Sequence, residues 1–279
     1  MLPAVTRSLR DSVARLGLAE QAFWLYGKMG RALPRTIFAN ARLRNRGAPD
    51  GLPIPPSDLI FLVAGSSDIS WFLKAGSLAA KSISDALRAR GVSMEEVGAV
   101  LDFGCGCGRV LRHWHSLHQT RICGTDYNSK LVEWCRSNLP FGEFQVNQLS
   151  PPLPYRSAEF GLVYALSVFT HLTEDLQFRW MNELSRVITP GGYLIVSTHG
   201  ERYVHRLSNA ERKRFDAGDL VVKNNINAPG SNTCSAYHPM AFVRDRLAAG
   251  LQVVDFIPEG ARGNPKQDLY VLRKPMRQS

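Results

Sequence analysis

The sequence predicts an α/β protein in which short strands alternate with helices around a mixed sheet. Three observations support this fold class. An apolar run at 99–103 enters a glycine-rich loop, a second run at 121–126 ends in an acidic residue, and the runs at 160–169 and 193–197 flank an amphipathic segment. Short apolar runs separated by helical patterns are typical of parallel β-α-β units.

The loop after the first strand is the most informative element. Asp102 is followed by glycines at 104, 106 and 108. Glycines at alternate positions let the chain turn sharply and let a ligand approach bare main chain. The spacing of Val110, Trp114 and Leu117 predicts a helix directly after this loop.

An acidic residue, Asp126, follows the second strand, 22 positions after Gly104. A carboxylate at this place can accept hydrogen bonds from both ribose hydroxyls of an adenosine-containing cofactor, either a nicotinamide dinucleotide or S-adenosylmethionine. The dinucleotide fingerprint is broken because its third glycine position holds Arg109. Asp102 is also a poor neighbour for a pyrophosphate, whereas the cationic methionine end of S-adenosylmethionine suits it.

Four segments together resemble class I S-adenosylmethionine-dependent methyltransferases. Residues 100–108 with Asp126 resemble the family's motifs I and II, 144–149 its third strand and adenine turn, 160–172 its fourth strand, and 184–197 the elements that close the core. The resemblance covers residues 97–200. It implies a Rossmann-like mixed seven-stranded sheet with helices on both faces.

The resemblance also implies the cofactor and the residues that hold it. Asn147 and Gln148 stand where many members have an acidic residue facing the adenine amino group, and an amide can still bond adenine. The residues expected to bind S-adenosyl-L-methionine are Asp102, Gly104, Cys105, Gly106, Gly108, Asp126, Tyr127, Asn147, Gln148, Leu149 and Leu166.

We expect three parts in the chain: a basic helical arm at 1–50, a linker with cap helices at 51–96, and the methyltransferase domain at 97–279. The boundary lies at the proline-rich stretch 51–56. Within the domain, 200–240 is expected to be a lid-like insertion, with one charged helix over 201–215 and a loop at 224–232. The last strands, near 251–257 and 269–272, are expected to be joined like a hairpin.

The formal charge of +10 is concentrated in the arm. Residues 1–50 contain nine Lys or Arg and three Asp or Glu, a net charge of +6. Basic and apolar residues interleave there as in a basic amphipathic helix. Three interpretations stay open: a helix packed on the core, peripheral contact with an anionic membrane or lipid, and binding of nucleic acid.

Neither a secretory signal nor a membrane span is recognisable, so we expect a cytoplasmic protein. The five cysteines suit a reducing compartment. Cys105 and Cys107 lie near several histidines, but His113 and His115 would point to different faces of a helix. We therefore expect no metal.

Methyl transfer to a hydroxyl group benefits from a general base, and histidine has a suitable ordinary pKa. His171 follows the fourth strand, His199 ends the fifth, and His238 lies in the insertion. All three are candidates, and His171 ranks first because it leaves the strand beside the expected methyl group.

The exit of the fourth strand, 164–167, lacks the Asn or Asp followed by two prolines that marks many enzymes methylating amino groups. By analogy with the family we expect a small-molecule acceptor, most often a hydroxyl of a metabolite, sugar or lipid. Two alternatives are RNA methylation through the basic arm and a catalytically silent, cofactor-binding partner subunit. The oligomeric state is not predicted.

Overall fold

The structure is a computed structural model, and it describes residues 34–224, 234–248, 250–264 and 266–276. The chain divides into two compact units, Met1–Leu73 and Lys74–Ser279, which we describe separately. The first 33 residues, most of the predicted basic arm, lie outside the described residues.

In the first unit, helices α1 (Pro34–Arg46) and α2 (Ser57–Ala64) precede the start of α3 (Ile69–Arg88). The Asn40 side chain ties α1 to the turn before α3: its Nδ2 donates to the Ser67 carbonyl at 2.8 Å and its Oδ1 accepts from the Ile69 amide at 3.0 Å. Asp68 caps α3 by accepting from the Trp71 amide at 3.1 Å.

The second unit contains a seven-stranded sheet with the order β3-β2-β1-β4-β5-β9-β8. The first five strands in this order are parallel, and β9 pairs antiparallel with both β5 and β8. The strands are β1 (Ala99–Phe103), β2 (Arg121–Asp126), β3 (Glu143–Val146), β4 (Phe160–Ala165), β5 (Ile188–Thr198), β8 (Gln252–Ile257) and β9 (Asp268–Arg273). The predicted fold class and the antiparallel pairing of the last two strands are confirmed.

Helices and a small second sheet surround this sheet. The helices are α4 (Ser129–Asn138), α5 (Glu174–Val187), α6 (Asn209–Asp216) and α7 (Met240–Phe242), which continues as a π-helical turn, Val243–Leu247. Strands β6 (Val221–Asn224) and β7 (Cys234–Tyr237) form the second, antiparallel sheet. The core is apolar, with Trp180, Leu184 and Val196 fully enclosed between α5 and the strands.

The prediction of a helix directly after the glycine loop is wrong. Leu111–Trp114 forms one turn of 3-10 helix. Its backbone bonds span three residues, as from the His113 amide to the Val110 carbonyl at 3.0 Å. The Trp114 indole donates to the hydroxyl of Tyr164 on β4 at 3.0 Å, a contact that the helical spacing does not reveal.

Two further local predictions need correction. The strand predicted from the apolar run at 193–197 starts earlier, at Ile188, and the Gly191 amide bonds the Lys274 carbonyl at 2.9 Å, which extends the pairing beyond β9. The single helix predicted over 201–215 is two: a 3-10 helix at Glu201–Arg206 and then α6. Ser208 separates them because it forms a capping box with Glu211. Of the predicted loop at 224–232, all but Asn224 lies outside the described residues.

No single helix among the described residues is long and apolar enough to cross a bilayer, although α2 and α3 taken together as a bent pair have that length and composition.

Candidate active site

The strand order reverses between β1 and β4, and the predicted site residues gather at the carboxyl ends of these strands. In open α/β sheets this position is where ligands bind. The site has two edges. We name them after the ligands that the sequence leads us to expect there: the cofactor edge comprises the glycine loop and the end of β2, and the acceptor edge comprises the exits of β4 and β5 with the β6–β7 hairpin.

At the cofactor edge the glycine loop closes tightly on its neighbours. Gly104 and Gly108 have φ values of +83° and +74°, which favour glycine. A Cβ on Gly104 would overlap Val168, just beyond β4, and one on Gly108 would lie 2.5 Å from Leu139 Cδ1. The loop therefore has no room for side chains at these positions.

The Asp126 carboxylate joins the ends of β1 and β2. Its Oδ2 accepts from the Gly106 amide at 2.9 Å and its Oδ1 from the Asn128 amide at 2.8 Å. Burial raises the pKa of Asp126, and the two amide donors oppose that rise. Each oxygen keeps acceptor capacity for a further donor.

Asp102 is buried below the loop, and burial raises the pKa of its carboxyl to about 8. The Tyr164 hydroxyl accepts a hydrogen bond from the Trp114 indole at 3.0 Å, so its own hydrogen goes to Asp102. Sequence reasoning missed this tyrosine. The only signal is the register, which places Tyr164 opposite Asp102 on the neighbouring strand.

The remaining predicted cofactor residues lie around these groups. Asn147 is buried and its Nδ2 donates to the Gln148 carbonyl at 2.7 Å, while its Oδ1 has no hydrogen-bond partner in the described part of the chain. Gln148 and Tyr127 are exposed, Leu149 is half-buried, and Leu166 is buried at the end of β4. Cys105 lies buried inside the loop, where it and Cys135 both donate to the Gly106 carbonyl.

The structure brings the three candidate histidines together at the acceptor edge. The His238 amide donates to the His199 carbonyl at 2.7 Å, and the positive charge of a protonated His171 would be felt at His199. They come from three separate segments of the chain, joined by the β6–β7 hairpin. We refer to His171, His199 and His238 as the histidine cluster.

Hydrogen bonds fix the tautomers within the cluster. His171 Nδ1 donates to the Cys234 carbonyl at 2.8 Å and His199 Nδ1 donates to the Ala236 carbonyl at 3.2 Å, so the lone pair of each ring lies on Nε2. His199 Nε2 faces the amide nitrogen of Gln267 at 3.5 Å.

His238 has the opposite tautomer. Gln177 donates through its Nε2 to the carbonyls of Phe169 and Leu172, so its Oε1 accepts from His238 Nε2 at 3.0 Å. The remaining ring nitrogen, Nδ1, is buried and has no hydrogen-bond partner among the described residues.

Burial keeps the cluster neutral. It lowers the pKa of both His199 and His238 to about 3, and the neighbouring histidines add to the effect. Burial also lowers the pKa of His171, while its bond to the Cys234 carbonyl opposes that shift. All three rings are therefore uncharged near neutral pH.

A polar network missed by sequence reasoning connects β4 and β5. The Ser167 amide donates to Ser197 Oγ at 2.7 Å, whose hydroxyl donates to Gln267 Oε1 at 2.7 Å. Gln267 returns a bond from Nε2 to Ser167 Oγ at 2.9 Å. Ser167 has a φ of +62°, a strained conformation for serine that is found preferentially at functional sites.

Comparisons with known proteins agree with this arrangement. Residues 101–196 match a family model described as a methyltransferase domain. A probable tRNA methyltransferase 9B from Mus musculus is 32% identical over 124 residues, and the match covers 44% of this chain and 25% of that protein. A probable S-adenosylmethionine-dependent methyltransferase from Mycolicibacterium smegmatis is 32% identical over 99 residues, 36% of this chain and 37% of that protein. The chain thus spans about a quarter of the first of these curated relatives and somewhat more than a third of the second.

Solved structures share the fold. A SAM-dependent methyltransferase from Methanosarcina mazei superposes with a TM-score of 0.50 at 18% identity, over 68% of this chain and 98% of that one. DesVI from Streptomyces venezuelae gives a TM-score of 0.50 at 17% identity, over 73% and 92% of the two chains. The matched domain, the strand order and the glycine loop ending at Asp126 together support a class I S-adenosylmethionine-dependent methyltransferase domain within this chain.

Proposed function

We propose that this protein transfers the methyl group of S-adenosylmethionine to a hydroxyl of a small-molecule acceptor, a metabolite, sugar or lipid. The observation that carries this proposal is the state of His171. Its Nδ1 hydrogen is engaged by the Cys234 carbonyl, its Nε2 keeps a lone pair, and its pKa is lowered so that the ring is neutral. A neutral imidazole oriented in this way is suited to act as a general base.

The cofactor edge has the groups that the cofactor requires. Asp126 keeps acceptor capacity for the ribose hydroxyls. Asn147 Oδ1 is a buried acceptor that could receive a hydrogen bond from the adenine amino group. Asp102 has a buried carboxyl, with a pKa of about 8, that would ionise beside the ammonium of the methionine end. Glycine at positions 104 and 108 lets this loop pack against Val168 and Leu139, where a Cβ would not fit.

When bound, S-adenosylmethionine supplies a methyl group on a cationic sulfur, and the departing thioether needs no proton. The chain's contribution is thus to bind and orient the reactants and to take up one proton. We assign that proton to His171 Nε2. The ring is fixed for this role because the Cys234 carbonyl holds Nδ1–H at 2.8 Å.

The other two histidines suit a supporting role better. The lone pair of His199 faces the Gln267 amide, and that of His238 lies on a buried nitrogen. With a pKa of about 3, each of these histidines is also a weak base. A weak base is a poor general base at neutral pH, because the efficiency of proton transfer falls as the base weakens.

RNA is the second candidate acceptor, and two observations favour it. The relatives that match over 124 residues are named probable tRNA methyltransferase 9B, and residues 1–50 have a net charge of +6. Basic segments bind RNA through its phosphates and lose affinity steeply as salt rises.

The test is incubation of the full chain with methyl-labelled S-adenosylmethionine and a cell extract divided into small-molecule, lipid, RNA and protein fractions. Label in the small-molecule or lipid fraction is the expected result. Label in RNA, abolished by high salt, would replace the proposal with RNA methylation. Cofactor binding without transfer to any fraction would overturn it in favour of the silent partner subunit.

A further inference from the structure

Helix α1 presents an unusual face to solvent. It is held from one side, where Asn40 bonds both the Ser67 carbonyl and the Ile69 amide and the Arg44 guanidinium donates to the Pro55 carbonyl at 2.9 Å. These bonds fix the rotation of the helix about its axis. The residues on the opposite side therefore stay exposed.

The side opposite Asn40 and Arg44 combines a large apolar residue with arginines. Phe38 is 76% exposed, and Arg42 and Arg46 are exposed on the same side, because positions 38, 42 and 46 follow one another at helical spacing. Ile37 is 51% exposed and lies about 100° from Phe38 around the helix, at the edge of this face. The helix contains no acidic residue.

From this face we infer that α1 is a docking site for the surface of an anionic phospholipid bilayer. A helix lies in the interfacial plane when apolar side chains enter the acyl boundary while cationic side chains meet the headgroups. Phe38, with Ile37 at the edge of the face, supplies the first part, and Arg42 and Arg46 supply the second. The charge of the face is complementary to that of an anionic bilayer.

Lipid explains this face better than RNA does. RNA binding needs the arginines, but it gives no reason for two adjacent aliphatic and aromatic side chains to be exposed beside them. A bilayer uses both. This inference is independent of the methyl acceptor, since it concerns where the protein is held and not what it methylates.

The experiment is sedimentation of the full chain with phosphatidylcholine vesicles and with vesicles containing phosphatidylglycerol. We expect binding to the anionic vesicles at low salt and little to phosphatidylcholine alone. The variant R42Q/R46Q should bind about 25-fold more weakly, because each arginine near an anionic surface contributes about fivefold. The variant I37S/F38S should lose about tenfold or more, through the apolar contribution.

The matched control is R156Q/M276S, which removes one exposed arginine and one exposed apolar side chain elsewhere, and it should bind as the wild type does. Binding of S-adenosylhomocysteine checks that each variant folds. Lack of binding to anionic vesicles at low salt, or an equal loss in the control, would overturn the inference. A gel-shift assay with a folded tRNA transcript tests RNA as the alternative partner. The face would be assigned to RNA if R42Q/R46Q abolished the shift and I37S/F38S left both RNA binding and vesicle binding unchanged, and that result would also overturn the inference.

Discussion

The two edges of the site are built by different means. At the cofactor edge the hydrogen bonds that orient Asp126 come from residues close in sequence, Gly106 across 20 positions and Asn128 across two. At the acceptor edge each histidine is fixed by a residue far along the chain: His171 by Cys234 across 63 positions and His238 by Gln177 across 61. The bonds that orient Asp126 are therefore local, whereas the acceptor edge exists only after the sheet and the β6–β7 hairpin have come together.

The edges also differ in how they treat charge. Burial raises the pKa of Asp102 to about 8 and lowers those of His199 and His238 to about 3. Near neutral pH these groups are mostly uncharged. We infer that a cationic ligand would cause Asp102 at the cofactor edge to lose its proton and would leave the histidines of the acceptor edge neutral.

Replacing the base should produce the largest effect. We expect His171→Ala to lower the rate of methyl transfer by about 10²- to 10⁴-fold, the usual contribution of a general base. Affinity for S-adenosylhomocysteine should stay unchanged, because the ring belongs to the acceptor edge. Transfer of label into the acceptor fraction measures the first quantity and calorimetry the second.

His205 provides the matched control for that variant. Its Nδ1 also bonds a backbone carbonyl, that of Arg202 at 2.9 Å, but it is exposed and outside the cluster. His205→Ala should retain full turnover. If His171→Ala does as well, His171 is not the base, and a loss confined to His199→Ala would move the role to that ring.

At the cofactor edge the largest effect should come from Asp126. Its replacement by alanine removes the acceptor proposed for the ribose and also the one that holds the Gly106 and Asn128 amides. We expect affinity for S-adenosylhomocysteine to fall about 10- to 100-fold, because a lost bond to a charged group costs about 1.5–3 kcal/mol. The exposed Asp216→Ala is the control, and equal calorimetric affinity in Asp126→Ala and wild type would refute the ribose assignment.

The contrast between the two edges explains which features could be predicted from the sequence. Alternating apolar runs were enough for the sheet, and the glycine spacing with Asp126 was enough for the loop after β1 and for the acidic residue at the end of β2. The bond between the Gly106 amide and Asp126 was not predicted. The helix after the loop was predicted wrongly because Trp114 is anchored by Tyr164, and Arg109 by Gly263 and Asn264, from distant parts of the chain. Histidine positions could be predicted, but not their tautomers, because the partners are main-chain carbonyls and neutral glutamines that leave no pattern.

The raised pKa of Asp102 predicts that the affinity for S-adenosylhomocysteine depends on pH. The free protein binds a proton on Asp102 below about pH 8, and the cationic ammonium of the ligand favours the carboxylate. Affinity for S-adenosylhomocysteine should therefore rise with pH between 6 and 8, by up to about tenfold per unit, with release of a proton on binding. Calorimetry in two buffers of different ionisation enthalpy measures both quantities.

Asp102→Asn cannot ionise, so its affinity should be lower at pH 8 and should not change between pH 6 and 8. A wild-type affinity that is constant over this range would show that Asp102 does not change its ionisation when the ligand binds.

The smallest effect concerns the cysteines beside the loop. Cys135 Sγ donates to the Gly106 carbonyl at 3.4 Å and Cys105 Sγ at 3.6 Å, while the Gly106 amide donates to Asp126. The peptide groups of this glycine are thus held from α4 and from β2 at once. Thiols are weak donors, so Cys135→Ala should reduce affinity for S-adenosylhomocysteine by about two- to threefold.

Cys135→Ser keeps a donor of similar size and should restore much of that affinity. If alanine and serine behave alike, the thiol acts through packing alone, since Cys135 is also buried against the loop. If serine restores binding, the position of Asp126 depends on a hydrogen bond from α4. The cofactor edge would then, like the acceptor edge, owe part of its geometry to a contact that its own motif does not contain.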